Sequence, residues 1–179
     1  MRFTRHRKGA IRADLDEVEV QILRQLANEL LGLVEAPEVS DDPLAALVGM
    51  PPGDVHPPDD PVLSRLLPDA YRDNPAAAGD FRRYTDAELR AGKRANADAV
   101  LRSLPEGGGR LDLDRDQVDE WLGSLNDMRL ALGTSLGVTE QTDPEDYEHD
   151  DPAYSALHVY GWLGYLQESL LSCVDPRTP

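Results

Sequence analysis

The chain has 179 residues, with 34 Asp and Glu against 18 Lys and Arg and a formal net charge of −16 at pH 7. So acidic a body repels phosphate backbones, which leaves any nucleic-acid contact local or delivered through a second protein. The length and a hydrophobic content of 40% suit one domain with a real core, and no apolar run approaches the roughly 20 residues needed to span a bilayer.

The first twelve residues stand apart from that body. Arg2, Arg5, Arg7, Lys8 and Arg12 fall there with His6, and every carboxylate comes later. The segment is basic but lacks the apolar stretch of a signal peptide, so the expected location is cytoplasmic. A single cysteine, Cys173, fits a reducing compartment and excludes a disulfide within the chain. Short extended runs on either side of His6 to Gly9 predict a β-hairpin.

A helix is expected next, capped by Asp14 with Glu17 three residues on. Leu15, Val18, Ile22, Leu26, Leu30 and Leu33 recur at helical spacing, Leu23, Ala27 and Val34 widen the stripe, and Pro37 closes it. Residues 36–60 form an acidic, proline-rich loop in which only Pro43 to Val48 offers a helical turn or two. Asp60-Pro61 opens a short helix through Leu67, and Asn74-Pro75 repeats that cap and first turn. Thr85 with Glu88 reads as a further helix start, with Leu89, Val100 and Leu104 facing inward until Gly107 to Gly109 stop it. Arg110 to Leu113 is a short strand suited to pair with the N-terminal hairpin. Asp114 then caps a helix, with Gln117 as its box partner, whose stripe is Val118, Trp121, Leu125, Met128, Leu132 and Leu136; Gly137 suits the left-handed residue after its end. An acidic loop occupies 138–151, and Asp151-Pro152 opens a last helix that is apolar around most of its circumference, hence central in a core or buried in an interface. No internal repeat is evident. The expected fold is a single, mainly α, bundle-like domain with a small antiparallel sheet.

Chemistry is scarce. Gly133-Thr134-Ser135-Leu136-Gly137 matches the nucleophile-elbow pattern, but that serine needs a strand-to-helix turn above a parallel sheet, and here it closes a helix. His6, His56, His149 and His158 show no metal-ligand spacing. The carboxylates of 140–151 lack the ligand order of a calcium loop and read as a solvated surface. The glycine run lacks the Lys-Ser/Thr of a phosphate loop. No catalytic, cofactor or metal residue is therefore assigned, and no enzyme is expected.

The remaining candidates are contact residues. Arg2, Arg5, Arg7, Lys8 and Arg12 make either a strip for phosphate or an acidic protein face, or a hairpin tethered to the chain's own acidic body. Arg83, Arg90 and Arg94 fall on one helical face, either a contact surface or a solvated one. Tyr154, Trp162 and Tyr165 mark an interface for a partner or a second copy. Cys173 packs as a small hydrophobe or, near the chain end, joins two chains in an intermolecular redox contact.

Several segments together resemble a known family. They are RFTRHRKGAIRADLDEVEVQILRQLANEL, LPDAYRDNPAAAGDFRRYTDAELRAGKRANADAVLRSL, VDEWLGSLNDMRLALGTSLGV and YSALHVYGWLGYLQESLL, which cover most of the chain outside the proline-rich loop. The resemblance is to the actinobacterial AosR-like oxidative stress transcriptional regulators, long described as a domain of unknown function. It implies cytoplasmic transcriptional control with an alternative sigma factor, and it transfers no individual functional residue. A switch built from two cysteines of one chain has no second cysteine here. The alternative is a protein-binding adaptor or homodimer unrelated to transcription. In either case a protein partner is expected, with DNA contact weak or indirect and no membrane.

Overall fold

The computed structural model describes residues 1–6, 10–35, 57–71 and 73–174. Arg7, Lys8 and Gly9 of the expected hairpin turn, and Pro43 to Val48 of the proline-rich loop, lie outside them. Among the described residues the chain is mainly helical, with a three-stranded antiparallel sheet. The elements in order are β1 (Thr4–Arg5), β2 (Ile11–Leu15), α1 (Glu17–Leu33), α2 (Pro61–Leu66), α3 (Pro75–Ser103), β3 (Gly109–Leu113), α4 (Arg115–Ser135), a 3-10 turn at Pro144–Asp146 and α5 (Pro152–Val174).

The strand expected at 110–113 does pair with the hairpin. β2 is central, flanked by β1 and β3, with Arg12 opposite Asp112 and Asp14 opposite Arg110. That register exposes a short internal repeat, too brief to stand out along the chain. Arg12-Ala13-Asp14-Leu15-Asp16 and Arg110-Leu111-Asp112-Leu113-Asp114 share the order Arg-x-Asp-Leu-Asp. Each copy is a strand that ends one residue before an N-cap. Laid antiparallel, the copies set each arginine against the other's aspartate: Arg12 to Asp112 at 2.5 Å and Arg110 to Asp14 at 3.9 Å.

The repeat also places the start of α1. The cap is Asp16 rather than Asp14, and its capping box closes with Glu19 rather than Glu17. Asp14 and Leu15 are held in the β2–β3 ladder, so the chain cannot turn into a helix until Asp16. Asp114 and Gln117 form the matching box on α4. α1 consequently centres its buried face on Val20, Leu23, Ala27 and Leu30, whereas Val18 is 63% exposed.

Two further expectations are corrected. Thr85 and Glu88 start no helix, because α3 runs unbroken from its Asn74 cap, and Thr85 Oγ1 donates back to the Phe81 carbonyl inside it. Leu89 faces outward at 42% exposure, while Val100 and Leu104 are buried as expected. Asp60 caps α2, its carboxylate accepting from the amides of Val62 and Leu63. Asp151 accepts from Ala153 at the opening of α5.

Trp121 lies at the centre of the core, fully buried, with its indole N–H donating to Ser103 Oγ at 2.9 Å. Phe3 meets it edge-on at 5.8 Å. Leu125 and Met128 of α4 and Leu163, Leu166 and Leu170 of α5 complete this layer. The two ends of the chain interlock. Phe3 N–H donates to Ser169 Oγ at 3.5 Å, and Arg5 donates twice to the Cys173 carbonyl, at 3.1 and 2.7 Å.

The glycines of the elbow-like pattern have structural duties. A Cβ on Gly133 would come within 2.7 Å of the Tyr160 ring, so its absence lets α4 and α5 approach closely. Gly137, at φ +63°, ends α4 in a turn in which Val138 N–H bonds the Gly133 carbonyl and Gly137 N–H the Thr134 carbonyl.

Two substitutions test this account by chemical denaturation. Asp16→Ala is expected to cost about 1 kcal/mol and Asp14→Ala clearly less, the opposite of a helix capped at Asp14. Gly133→Ala is expected to destabilise by roughly 1–3 kcal/mol through the clash with Tyr160.

Candidate functional site

Two of the N-terminal cations, Arg5 and Arg12, are engaged by the fold. Arg12 pairs with Asp112 and lies 3.2 Å from His6 Nε2, and Arg5 caps the end of α5. Arg2 is exposed. The hydrogen bond from Arg12 holds the Asp112 carboxyl below the ordinary aspartate range, and the same contact raises the guanidinium. A lowered carboxyl pKa adds stability above the unfolded value, which is lost as the pH falls through the folded value. The stability difference between the wild type and Asp112→Asn should therefore shrink below about pH 4. Urea unfolding at pH 7 and pH 3 measures it, and a constant difference refutes the assignment.

The arginines of α3 do not form the outward contact face expected for them. Arg90 is 7% exposed, donating to Asp86 at 2.6 Å and to the Glu35 carbonyl at 3.0 Å. Arg83 is half-buried and engaged, and Arg94 alone of the three is exposed. Next to them, Arg82 bonds the Leu67 carbonyl and Asp69 and lies 3.6 Å from Asp86. Lys93 reaches across to Asp127 of α4 at 2.7 Å. Buried pairs of this kind hold α3 in place because removing one partner strands a charge. Nothing in the sequence separates these inward cations from solvated ones, since several of their partners lie on other elements.

Beside this network runs an open groove of about 630 Å³ between α3 and α4. Lys93 and Asp127 lie in its wall with Arg82 and Asp86, and Phe81 and Leu89 stand at its margin, 46% and 42% exposed. Tyr71 packs edge-on against Phe81 at 5.9 Å, and Tyr84 is 77% exposed. Exposed large apolar side chains of this kind are candidates for an interaction surface. Helical spacing misses it, because it assigns Leu89 to the core.

α5 buries one side and leaves Tyr165, Leu171 and Val174 nearly half exposed. Of the expected interface residues, Tyr154 and Tyr165 share one line of the helix, with Trp162 about a quarter-turn away and packed against the core. Tyr154 is flanked by His149 and His158, at ring separations of 4.5 and 4.3 Å. Ser135 is the last residue of α4, and the sheet is antiparallel, so the nucleophile-elbow geometry is not met. Among the described residues no three His, Cys, Asp or Glu side chains gather to hold a metal ion, and no helix is long and apolar enough to cross a membrane.

Cys173 is half-buried. Burial pushes its thiol pKa up, against the smaller opposing effect of Arg5 and Arg2. These cations come from the N-terminal segment rather than from its own helix, so the neighbours of Cys173 in sequence do not reveal them. The protonated thiol is a weak nucleophile. Labelling by a disulfide reagent at pH 7.5 should be slower in the folded chain than in urea, and equal or faster labelling in the folded chain refutes this.

A family model described as a domain of unknown function, DUF2017, matches residues 1–174. The chain belongs to this family. The Mycobacterium tuberculosis H37Rv protein named oxidative stress regulator AosR is 34% identical over 175 residues, covering 89% of this chain and 80% of that protein. A Mycobacterium leprae relative, named putative oxidative stress regulator AosR, is 36% identical over 168 residues, covering 86% of this chain and 77% of its own. No solved structure matches the chain.

Proposed function

We propose that the protein is a cytoplasmic, non-enzymatic regulator of the response to oxidants that acts by docking onto transcription machinery, with an alternative sigma factor as its partner. The observation that carries this reading is the similarity, over 89% of the chain, to a protein named oxidative stress regulator AosR. The charge layout supports docking over direct DNA reading. Arg5, Arg12, Arg82 and Arg90 bond groups of the chain itself, within a body of net charge −16. Counterion release from a phosphate backbone needs cations that the fold has not already neutralised.

The α3–α4 groove is the docking face in this reading. Asp69, Asp86 and Asp127 in its lining are already paired with Arg82, Arg90 and Lys93, so Glu88 is the carboxylate left for a partner's cation, and Phe81 and Leu89 supply apolar anchors. The complementary partner element is an apolar helix that carries a Lys or Arg beside its apolar face. With only Cys173 present, no two-cysteine switch operates within the chain, and the oxidant signal enters through the partner. Phe81→Asp and Leu89→Asp alter exposed positions, so they should fold normally and weaken binding to the purified sigma factor by about tenfold or more in calorimetry. Unchanged affinity in both variants rules out the groove. Tight, sequence-specific DNA binding by the isolated protein at physiological salt rules out the docking model.

A further inference from the structure

We infer that the space between α2, α4 and α5 is a binding site for a small phosphate monoester. In a chain with so many carboxylates, the inward-facing Arg82, Arg90 and Lys93 of α3 are each bonded to one. Arg129 is not. It lies half-buried on α4, its Nε is shielded from solvent without a hydrogen-bond partner, and among the described residues it takes part in no ion pair. Its guanidinium sits 5.7 Å from the centre of the Tyr160 ring, and its side chain runs beside Gly164, where an added Cβ would touch it at 3.8 Å. The side chain is thus braced by α5 rather than extended into water, unlike the exposed Arg94, Arg102 and Arg115.

Arg65, in the last turn of α2, lines the same pocket of about 390 Å³ and likewise makes no ion pair among the described residues. Tyr160, Leu130 and Val138 complete the wall with Thr134 and two glycines, and no described Asp or Glu lines it. The end of α4 is a place where cations are favoured. The carbonyls of Leu132, Gly133 and Thr134, however, already accept from the Leu136, Val138 and Gly137 N–H groups, and among the described residues no hydrogen bond runs from Arg65 or Arg129 to the helix end. Arg65, Arg129 and Tyr160 therefore border a space that no described carboxylate lines. Two positive charges match a dianion, and planar guanidinium forks match the oxygens of a tetrahedral phosphate. The volume exceeds that of the phosphate head and leaves Leu130 and Val138 for an organic remainder.

This site lies away from the α3–α4 groove and stands independently of the docking reading. Calorimetric titration of the full chain with glycerol 3-phosphate and with inorganic phosphate, at constant ionic strength balanced by chloride, tests it. The expected result is saturable one-site binding, tighter for the ester. Arg129→Gln and Arg65→Gln should each weaken it by about tenfold, and Arg94→Gln should leave it unchanged. Arg65 is exposed on a short helix, so its variant reports on the site even if Arg129→Gln disturbs packing. The inference is overturned if no saturable heat is seen, if Arg65→Gln binds like the wild type, or if succinate binds as tightly as the phosphate ester.

Discussion

Arg12 and Asp112 are a hundred residues apart in the chain and 2.5 Å apart in the fold. The antiparallel pairing that brings them together sets the frame on which the helices are hung. β2 and β3 each hand the chain to a helix through an aspartate cap, so pairing the strands fixes where α1 and α4 begin relative to one another. A slip of one residue would turn Leu111 and Leu113 from the core to solvent, or do the same to Ala13 and Ile11. A slip of two residues keeps the faces but sets Arg12 against Arg110 in one direction and Asp14 against Asp112 in the other. Like charges directly opposite one another oppose that error as well. The worth of the native pairs lies more in selecting a register than in net stability, because both are at the surface.

A second theme is how a chain of net charge −16 manages its few cations. α3 holds several of them, and its most buried positions include Arg82 and Arg90 as well as alanines. It docks through ion pairs that are desolvated and hydrogen-bonded on several sides, an arrangement that is costly to break even where its net contribution is small. The outer side of the same helix keeps Phe81, Tyr84 and Leu89 exposed. Around Arg82 and Arg90 charge thus lies inside and hydrocarbon outside, whereas Ala97 and Val100 further along face inward in the usual way, which is why spacing alone describes the first part of this helix poorly.

Much of the fold is nevertheless legible in the chain. The caps at Asp60, Asn74, Asp114 and Asp151, the left-handed Gly137 and the strand near residue 110 rest on local chemistry that a sequence displays directly. The features that escape it depend on partners distant in the chain. Asp14 and Asp16 both have glutamate three residues on, and only the β2–β3 ladder decides between them. The expected contact role of Arg90 fails because Asp86 and the Glu35 carbonyl turn it inward. Arg129, which has no carboxylate partner among the described residues, and the open α3–α4 groove are products of helix packing and have no linear motif.

The interlock of the two chain ends bears on synthesis. Phe3 fills its place beside Trp121 and bonds Ser169, while Arg5 holds the carbonyl of Cys173, contacts that span 166 and 168 residues. A ribosome releases the N-terminal strand first, yet neither Phe3 nor Arg5 has all its final partners until α5 has emerged. Helices can form as they leave the exit tunnel, but closure of the core waits until α5 has emerged. During that interval Arg5, the one charged residue of β1, disfavours pairing of that edge with neighbouring chains. Arg5 thus has a task while the chain is being made, before it reaches the Cys173 carbonyl.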